Sequence, residues 1–419
     1  MANQQIFCNT PWYEAHIYWD GGLGICCQES RRLSTTHNIK TTSLREWFNS
    51  EPVKHLRQEV LSDNPTDVCS RCYHEEQHSG TSRRHRSNQK SVIFTKTAFQ
   101  QSFEQSPGRQ YFTEDGVTDT LPIDLHVDLG NYCNLACKMC WSGASSRIAT
   151  QYVLWGHEDH RRYLGTDWTK DSVVWDRFLD ELLTIPKLKN IHFMGGETLL
   201  TPKFEEFVDF MIAHERFDIS LSFVTNGTVY KPELIEKLKK FPRVGIEISI
   251  ETTTEHNDYI RQGSHVEEVI DIIKKYKQLC LGSDVSVTLR PSISALSIGY
   301  YHTLLKFALE EKLLIKSLIV TNPPYLNPNI LPQTIRDKYL MPYIEILREL
   351  NDIDIKNDYN ESDINNYSQS VKQQAQQVKL ILCNEPIKFN KSELMFWCNR
   401  WDQEFGFNML KLYPEFNEI

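Results

Sequence analysis

Three cysteines, Cys133, Cys137 and Cys140, fall within eight residues in the run Gly130-Asn131-Tyr132-Cys133-Asn134-Leu135-Ala136-Cys137-Lys138-Met139-Cys140. Thiolates this close together can bind one iron–sulfur cluster, and three of them on a four-iron cluster leave one iron without a protein ligand. An open coordination position is where substrate chemistry takes place, as at a catalytic zinc. A structural zinc site with a distant fourth ligand, or chance clustering, is the plainer reading of the same thiols. A second group, Cys8, Cys26, Cys27, Cys69 and Cys72, stands at the front of the chain. Cys280, Cys383 and Cys398 are scattered behind and read as small buried apolar residues. Eleven cysteines cannot all pair, and in a reducing compartment clustered thiols are metal ligands more often than disulfides.

The triad needs a scaffold, and the chain around it repeats. Strand-like runs at Ile123–Leu129, Ile191–Met194, Ile219–Thr225, Val244–Ile250, Val285–Arg290 and Ile315–Thr321 are separated by helix-length segments, as in successive βα units around parallel strands. His265 to Leu279 carries Val266, Val269, Ile270, Ile273 and Tyr276 at helical spacing. Six repeats predict an α/β fold, an incomplete (β/α)6 TIM-type barrel. Several strands alternate: Ile123, Leu125, Val127 and Leu129 on one face of the first, Asp124, His126 and Asp128 on the other. In a barrel the polar face lines the lumen, so His126 and Arg290 are expected to project inward, around something charged. A solvated sheet face is the alternative. Beyond residue 327 the pattern is helical, at Ile335–Leu350, Ser368–Ile381 and Ser392–Phe405, where Trp397, Trp401 and Phe405 form a packing stripe. The expected organisation is a Cys-rich front domain over 1–78, a polar linker or arm over 79–116, the partial barrel over 117–326 and a helical region over 327–419.

The spacing C-x3-C-x2-C after the first strand of a βα repeat resembles the radical S-adenosylmethionine (radical SAM) enzymes, and the match continues downstream. Gly195-Gly196-Glu197, at the end of the second strand, is similar to that family's Gly-Gly-Glu motif, where backbone groups and a carboxylate hold the cofactor's methionine ammonium. Glycines permit close backbone approach, and a carboxylate pairs with an ammonium through charge-assisted hydrogen bonds. The third strand ends Thr225-Asn226-Gly227 and the fourth reads Glu247 to Glu251, followed by His256 to Arg261. The resemblance implies cofactor contacts at Ser222, Asn226, Ser249 and Arg261, and cluster ligation by Cys133, Cys137 and Cys140. Met139 departs from the family's usual aromatic, and Thr198 from its usual proline. The implied chemistry is one-electron cleavage of S-adenosylmethionine at a reduced 4Fe-4S cluster, giving a 5′-deoxyadenosyl radical that takes hydrogen from a substrate. No residue acting directly on substrate is identified.

In front, Cys8 is followed by Pro11-Trp12, Trp19-Asp20-Gly21, Cys26-Cys27, the segment Ser43 to Phe48, and Cys69-Ser70-Arg71-Cys72. This order resembles the SPASM or twitch auxiliary-cluster domains, which usually follow the radical core. That resemblance makes Cys8, one of Cys26 or Cys27, Cys69 and Cys72 candidate ligands of a second 4Fe-4S cluster, and the distance from Gly21 favours Cys26. A four-cysteine zinc ribbon is the alternative. Members with such domains often modify peptides or proteins, so a peptide or protein substrate is expected, with an electron donor such as flavodoxin or ferredoxin. A small metabolite or nucleotide substrate, or a non-catalytic iron–sulfur or zinc protein on the same fold, stand as alternatives.

Composition narrows the partners. Lys plus Arg total 46 against 55 Asp plus Glu, a formal charge of −9, which argues against a chain built to coat nucleic acid or an anionic membrane. The basic knot Arg83, Arg84 and Arg86 reads as a solvated segment or internal ion-pair donor before it reads as an RNA contact. No apolar run approaches the roughly 20 residues of a bilayer span, and Met1 to Asn9 lacks a basic start or apolar stretch, so a cytoplasmic location is expected.

Overall fold

The computed structural model describes residues 6–79, 82–88, 115–118, 121–356, 364–388 and 390–418. Its main sheet contains β1 (Glu14–Ile17), β2 (Leu23–Gly24), β3 (Asp124–Asp128), β4 (Asn190–Met194), β5 (Ser220–Thr225), β6 (Val244–Ile248), β7 (Val285–Leu289) and β8 (Leu314–Ile315). The order is β8-β7-β6-β5-β4-β3-β1-β2. β1 runs parallel to β3, with Glu14 opposite Asp124 and Ile17 opposite Val127, and β3 runs parallel to β4 from Asp124–Asn190 to Asp128–Met194. β6, β7 and β8 are likewise parallel. Only the β1–β2 hairpin is antiparallel among these pairs. The parallel α/β architecture is that of a partial TIM-type barrel.

Two features of this sheet differ from the sequence reading. β1 and β2 come from the Cys-rich front segment, whose strands carry no alternation long enough to announce them. The sixth expected strand, Ile315–Thr321, is broken: β8 holds two residues, and Leu318–Ile319 pairs instead with Ser292–Ile293 in a separate ribbon. Lys316 N still donates to Leu289 O, but Leu318 N turns to Pro291 O, which moves the chain off the first ladder.

The chain forms two compact units, one of residues 1–131, 162–222 and 240–242, the other of 132–161, 223–239 and 243–419. In the first unit, helix Ser172–Leu183 starts where the Asp171 side chain accepts from Val174 N, and buries Val174, Trp175, Phe178, Leu179 and Leu182 at helical spacing. Pro202 opens helix Pro202–Ala213, where its missing N–H costs nothing. Phe204 and Phe207 pack edge-on against Phe193 of β4. In the second unit, helix Val266–Cys280 buries Val266, Val269, Ile273 and Tyr276. The C-terminal helices are Gln333–Lys356, Ile364–Cys383 and Lys391–Phe405. Cys280 and Cys398 are buried as expected, but Cys383 is exposed, because it lies at the last residue of its helix.

Of the expected arm, 82–88 is described and contains a helix over 83–88. Arg84 is buried, donating to both Glu76 carboxylate oxygens and to Phe7 O. Arg83 is paired with Glu14. Both arginines are internal ion-pair donors. The rest of the arm to residue 114 lies outside the described residues. Among the described residues no helix is long and apolar enough to cross a membrane.

Candidate functional site

The cysteine loop belongs to the second unit, and hydrogen bonds strap it on both sides. Ala136–Cys137 pairs antiparallel with Arg261–Gln262, placing Cys137 opposite Arg261. Lys138 N donates to Ile260 O at 2.9 Å, and Lys138 Nζ to Tyr259 O at 2.6 Å. The ammonium sits 3.8 Å from the Tyr259 ring centre and 4.9 Å from that of Trp401, and burial lowers it to about 8. On the other flank, Ser145 Oγ donates to Leu135 O and accepts from Ile148 N, starting helix Ser146–Leu154 where the loop ends. Ile148 and Trp401 pack with Ala136, and Cys140, Trp397 and Phe405 lie against them. The aromatic stripe of the last long helix therefore closes over the cysteine loop.

N–H groups are aimed at the sulfurs. Arg261 Nη1 stands 3.7 Å from Cys137 Sγ, and Asn226 Nδ2 stands 3.9 Å from Cys133 Sγ. Arg261 Nη2 also bonds Glu251 Oε1 at 2.8 Å; both side chains are buried, Glu251 completely. Against the cost of burial, Glu251 and Cys137 hold Arg261 protonated. Asn226 is engaged further: its Nδ2 donates to Asn134 Oδ1, and its Oδ1 accepts from Thr228 N and Oγ1. Ser249 N donates to Thr225 O, tying the strand ends together. Arg261 and Asn226, expected around the cofactor, thus face the cysteines themselves. Glu251 and Lys138 were not singled out from sequence; a lone acid on a strand and a lone lysine between cysteines carry no signal without their partners.

The turn Gly195-Gly196-Glu197 belongs to the first unit. Gly195 has φ of +81°, and a side chain there would meet Gly130 O at 2.7 Å and Asp128 Cβ at 2.8 Å, so the position demands glycine. Glu197 is buried, and its Oε1 accepts from Leu199 N, capping the short turn Thr198–Leu200. Ser222 Oγ lies 2.7 Å from His192 Nδ1. It joins a polar sheet face of Glu14, His16, His126 and His192, all at least nine-tenths buried. This face is not solvated. In the second unit, Arg290 pairs with Glu247 on the corresponding face of β6 and β7.

The front cysteines divide into two sets within the first unit. Cys8, two residues before the turn Thr10–Trp12, Cys69, closing the turn Asp67–Cys69, and Cys72, in helix Ser70–Ser79, lie within each other's electrostatic reach. Burial pushes the Cys8 thiol up to about 11, and Cys69 and Cys72 up as well. Cys26 and Cys27 face each other, Glu14 and Arg83. The hydrogen bond from Cys26, with Arg83 and His126 beside it, holds Cys27 well below the usual thiol range. None of the eleven cysteines is in a disulfide.

The donor chemistry fits iron–sulfur clusters. Three buried or half-buried thiols share one loop, cationic and amide N–H groups point at two of them, and burial raises Cys137 and Cys140 as free thiols, a penalty that coordination to iron removes.

Comparison with known proteins bears on both regions. Residues 127–290 match the radical SAM superfamily model, and residues 8–73 match the SPASM model, an iron–sulfur cluster-binding domain. The mycofactocin maturase MftC of Mycobacterium tuberculosis is 32% identical over 141 residues, 33% of this chain and 30% of that protein. The sporulation killing factor maturation protein SkfB of Bacillus subtilis is 24% identical over 173 residues, 41% of this chain and 37% of that protein. The chain thus spans about a third of the length of these curated relatives. Among solved structures, Streptococcus suis SuiB bound to precursor peptide SuiA is 18% identical, with a TM-score of 0.38, covering 55% of this chain and 48% of that one. With the cysteine loop and the front thiols each falling inside its matching model, the chain carries a radical SAM domain over residues 127–290 and, ahead of it, a SPASM iron–sulfur cluster-binding domain over residues 8–73.

Proposed function

We propose that this protein is a radical SAM maturase: it cleaves S-adenosylmethionine reductively and uses the resulting radical to modify a genetically encoded peptide or protein. The observation that carries the reading is the cysteine loop, with Arg261 and Asn226 donating toward its sulfurs. Cys133, Cys137 and Cys140 would hold a 4Fe-4S cluster with one open iron, and that cluster supplies the electron that splits the cofactor's sulfonium into methionine and a 5′-deoxyadenosyl radical. The protein's own share is positioning. The Ala136–Cys137 ladder, Lys138 and Ser145 fix the loop, and the Trp397–Trp401–Phe405 stripe keeps water from one side of it. Gly195, whose positive φ makes the turn, and Gly196 would present backbone groups to the cofactor's amino acid end, and Glu197 would supply charge opposite its ammonium. Cys8, Cys26, Cys69 and Cys72 would ligate an auxiliary cluster. The two curated relatives are named for maturation, which supports an encoded precursor over a free metabolite. A one-electron donor of the flavodoxin or ferredoxin class completes the scheme.

The test is anaerobic. Reconstituted protein with dithionite and S-adenosylmethionine should release 5′-deoxyadenosine, and Cys133→Ala, Cys137→Ala and Cys140→Ala should each abolish it. Nucleoside release that persists in all three variants overturns the proposal.

A further inference from the structure

We propose that Glu14, Cys27 and His126 form a binding site for one divalent cation of zinc type, separate from both iron–sulfur ligand sets. All three residues belong to the first unit, and one ligand atom from each lies within 4.8 Å of the other two. Glu14 sits on β1 and His126 on β3. Because Glu14 is in register with Asp124, His126 is its diagonal neighbour on the same face of the sheet. Cys27 approaches from the loop after β2.

The spacing already resembles a coordination polyhedron. Glu14 Oε1 and His126 Nε2 are 3.5 Å apart. Zinc bonds of about 2.0–2.1 Å at a tetrahedral angle hold two such ligand atoms roughly 3.4 Å apart. Glu14 is 1% exposed, and its Oε1 has no hydrogen-bond partner, a costly state for a buried carboxylate oxygen. Its other oxygen, Oε2, accepts from Arg83 Nη2 at 2.5 Å, an outer hydrogen bond of the kind that orients metal-ligating carboxylates. Arg83 Nη2 also stands 3.1 Å from His126 Nε2. A guanidinium can only donate, so Nε2 carries a lone pair, which faces Arg83 here and which a bound cation would take in place of that contact. Arg83 balances part of the negative charge gathered here but makes no hydrogen bond to Oε1.

Thiolate, imidazole and carboxylate together favour zinc over magnesium or calcium, which prefer oxygen ligands alone. Three protein ligands leave a fourth position for water or for a donor atom of a bound molecule. Cys27 is half-buried while Glu14 and His126 are buried, so the open side lies at the thiol. The assignment keeps Cys26 in the auxiliary set and does not depend on cleavage of S-adenosylmethionine.

The experiment uses the full chain, reconstituted anaerobically with iron and sulfide, equilibrated with zinc, desalted and analysed for both metals. About one zinc per chain is expected beside the cluster iron, with an X-ray absorption signature of one sulfur at about 2.3 Å and nitrogen or oxygen at about 2.0–2.1 Å. Cys27→Ser, His126→Ala and the shape-conserving Glu14→Gln should each weaken zinc binding at least tenfold with iron unchanged, whereas Cys26→Ala should lose iron and keep zinc. Zinc content unchanged in Cys27→Ser and Glu14→Gln overturns the site. So does a shell of four sulfurs, or loss of iron in Cys27→Ser, since either places these thiols in the auxiliary cluster. Release of 5′-deoxyadenosine, read on the same samples, reports separately on the radical chemistry.

Discussion

The two thiol-rich regions solve one chemical problem by opposite means. In the cysteine loop three thiols come from eight consecutive residues, so backbone spacing alone brings the sulfurs together, and the tertiary structure adds only orientation. In the front domain Cys8, Cys69 and Cys72 come from segments up to 64 residues apart in the chain and are within electrostatic reach of one another only in the folded structure, with Cys26 in a second set beside Cys27. The loop also carries a buried cation–carboxylate pair, Arg261 and Glu251, beside its sulfurs, whereas the front set carries buried Arg84 and Glu76 beside Cys72. A local ligand set tolerates variation in the rest of the fold; a distributed one depends on every segment that supplies it.

The largest expected effect separates the two. Reconstituted chain should hold about eight irons, four per cluster. Cys69→Ala combined with Cys72→Ala should remove about half and leave cleavage of S-adenosylmethionine intact. Cys137→Ala should also remove about half and reduce 5′-deoxyadenosine to background. Iron assay and chromatography check both, and cleavage lost in the front double variant would mean that the regions act as one.

Next in size is the buried pair. Glu251→Gln leaves Arg261 charged and uncompensated, which costs about 3–5 kcal/mol in such settings, and chemical denaturation should show a loss of that order. A loss below about 1 kcal/mol would show that water reaches Arg261, and the loop would then be no better enclosed than an exposed ion pair.

Glu197→Gln tests the glycine turn. The substitution keeps the acceptor for Leu199 N but removes the charge, and a charge-assisted hydrogen bond is worth roughly 1.5–3 kcal/mol, or about ten- to two-hundred-fold in cofactor affinity. Iron content should not change. Wild-type affinity in calorimetry would leave Glu197 with its capping role alone.

The smallest effect concerns the C-terminal segment of the unit that holds the loop. His256 stacks on Tyr300, and its Nε2 donates to Leu412 O at 3.1 Å. Burial lowers its pKa below the usual histidine value, only partly opposed by that bond. A base with a depressed folded-state pKa adds stability above its unfolded value, near 6.5, and that stability drains as pH falls from there toward the folded value. Protection factors for hydrogen exchange at Met409–Leu412 should therefore fall below about pH 6.5, and His256→Gln should flatten the dependence. Equal protection at pH 5.5 and 7.5 in the wild type would refute the linkage.

What the sequence determined on its own is whatever depends on near neighbours. Alternating βα segments, the helical stripes of 265–279 and of the last long helix, and the three-then-two spacing of the cysteine triad are all set within a few residues, where periodicity and chain geometry decide. What only the tertiary structure decided involves partners far apart in the chain. The front strand β1 gives no signal in four residues, yet its Glu14 meets His126 and Arg83, and Cys27 becomes distinct from Cys26 only through them. Arg261 and Asn226 read as cofactor contacts from their motifs, and it is the fold that sets both beside cysteine sulfur, through a two-residue ladder and an asparagine–threonine network. The break in the sixth strand has the same origin: Pro291 and Leu289 compete for neighbouring amides, and apolar pattern alone does not rank two backbone acceptors.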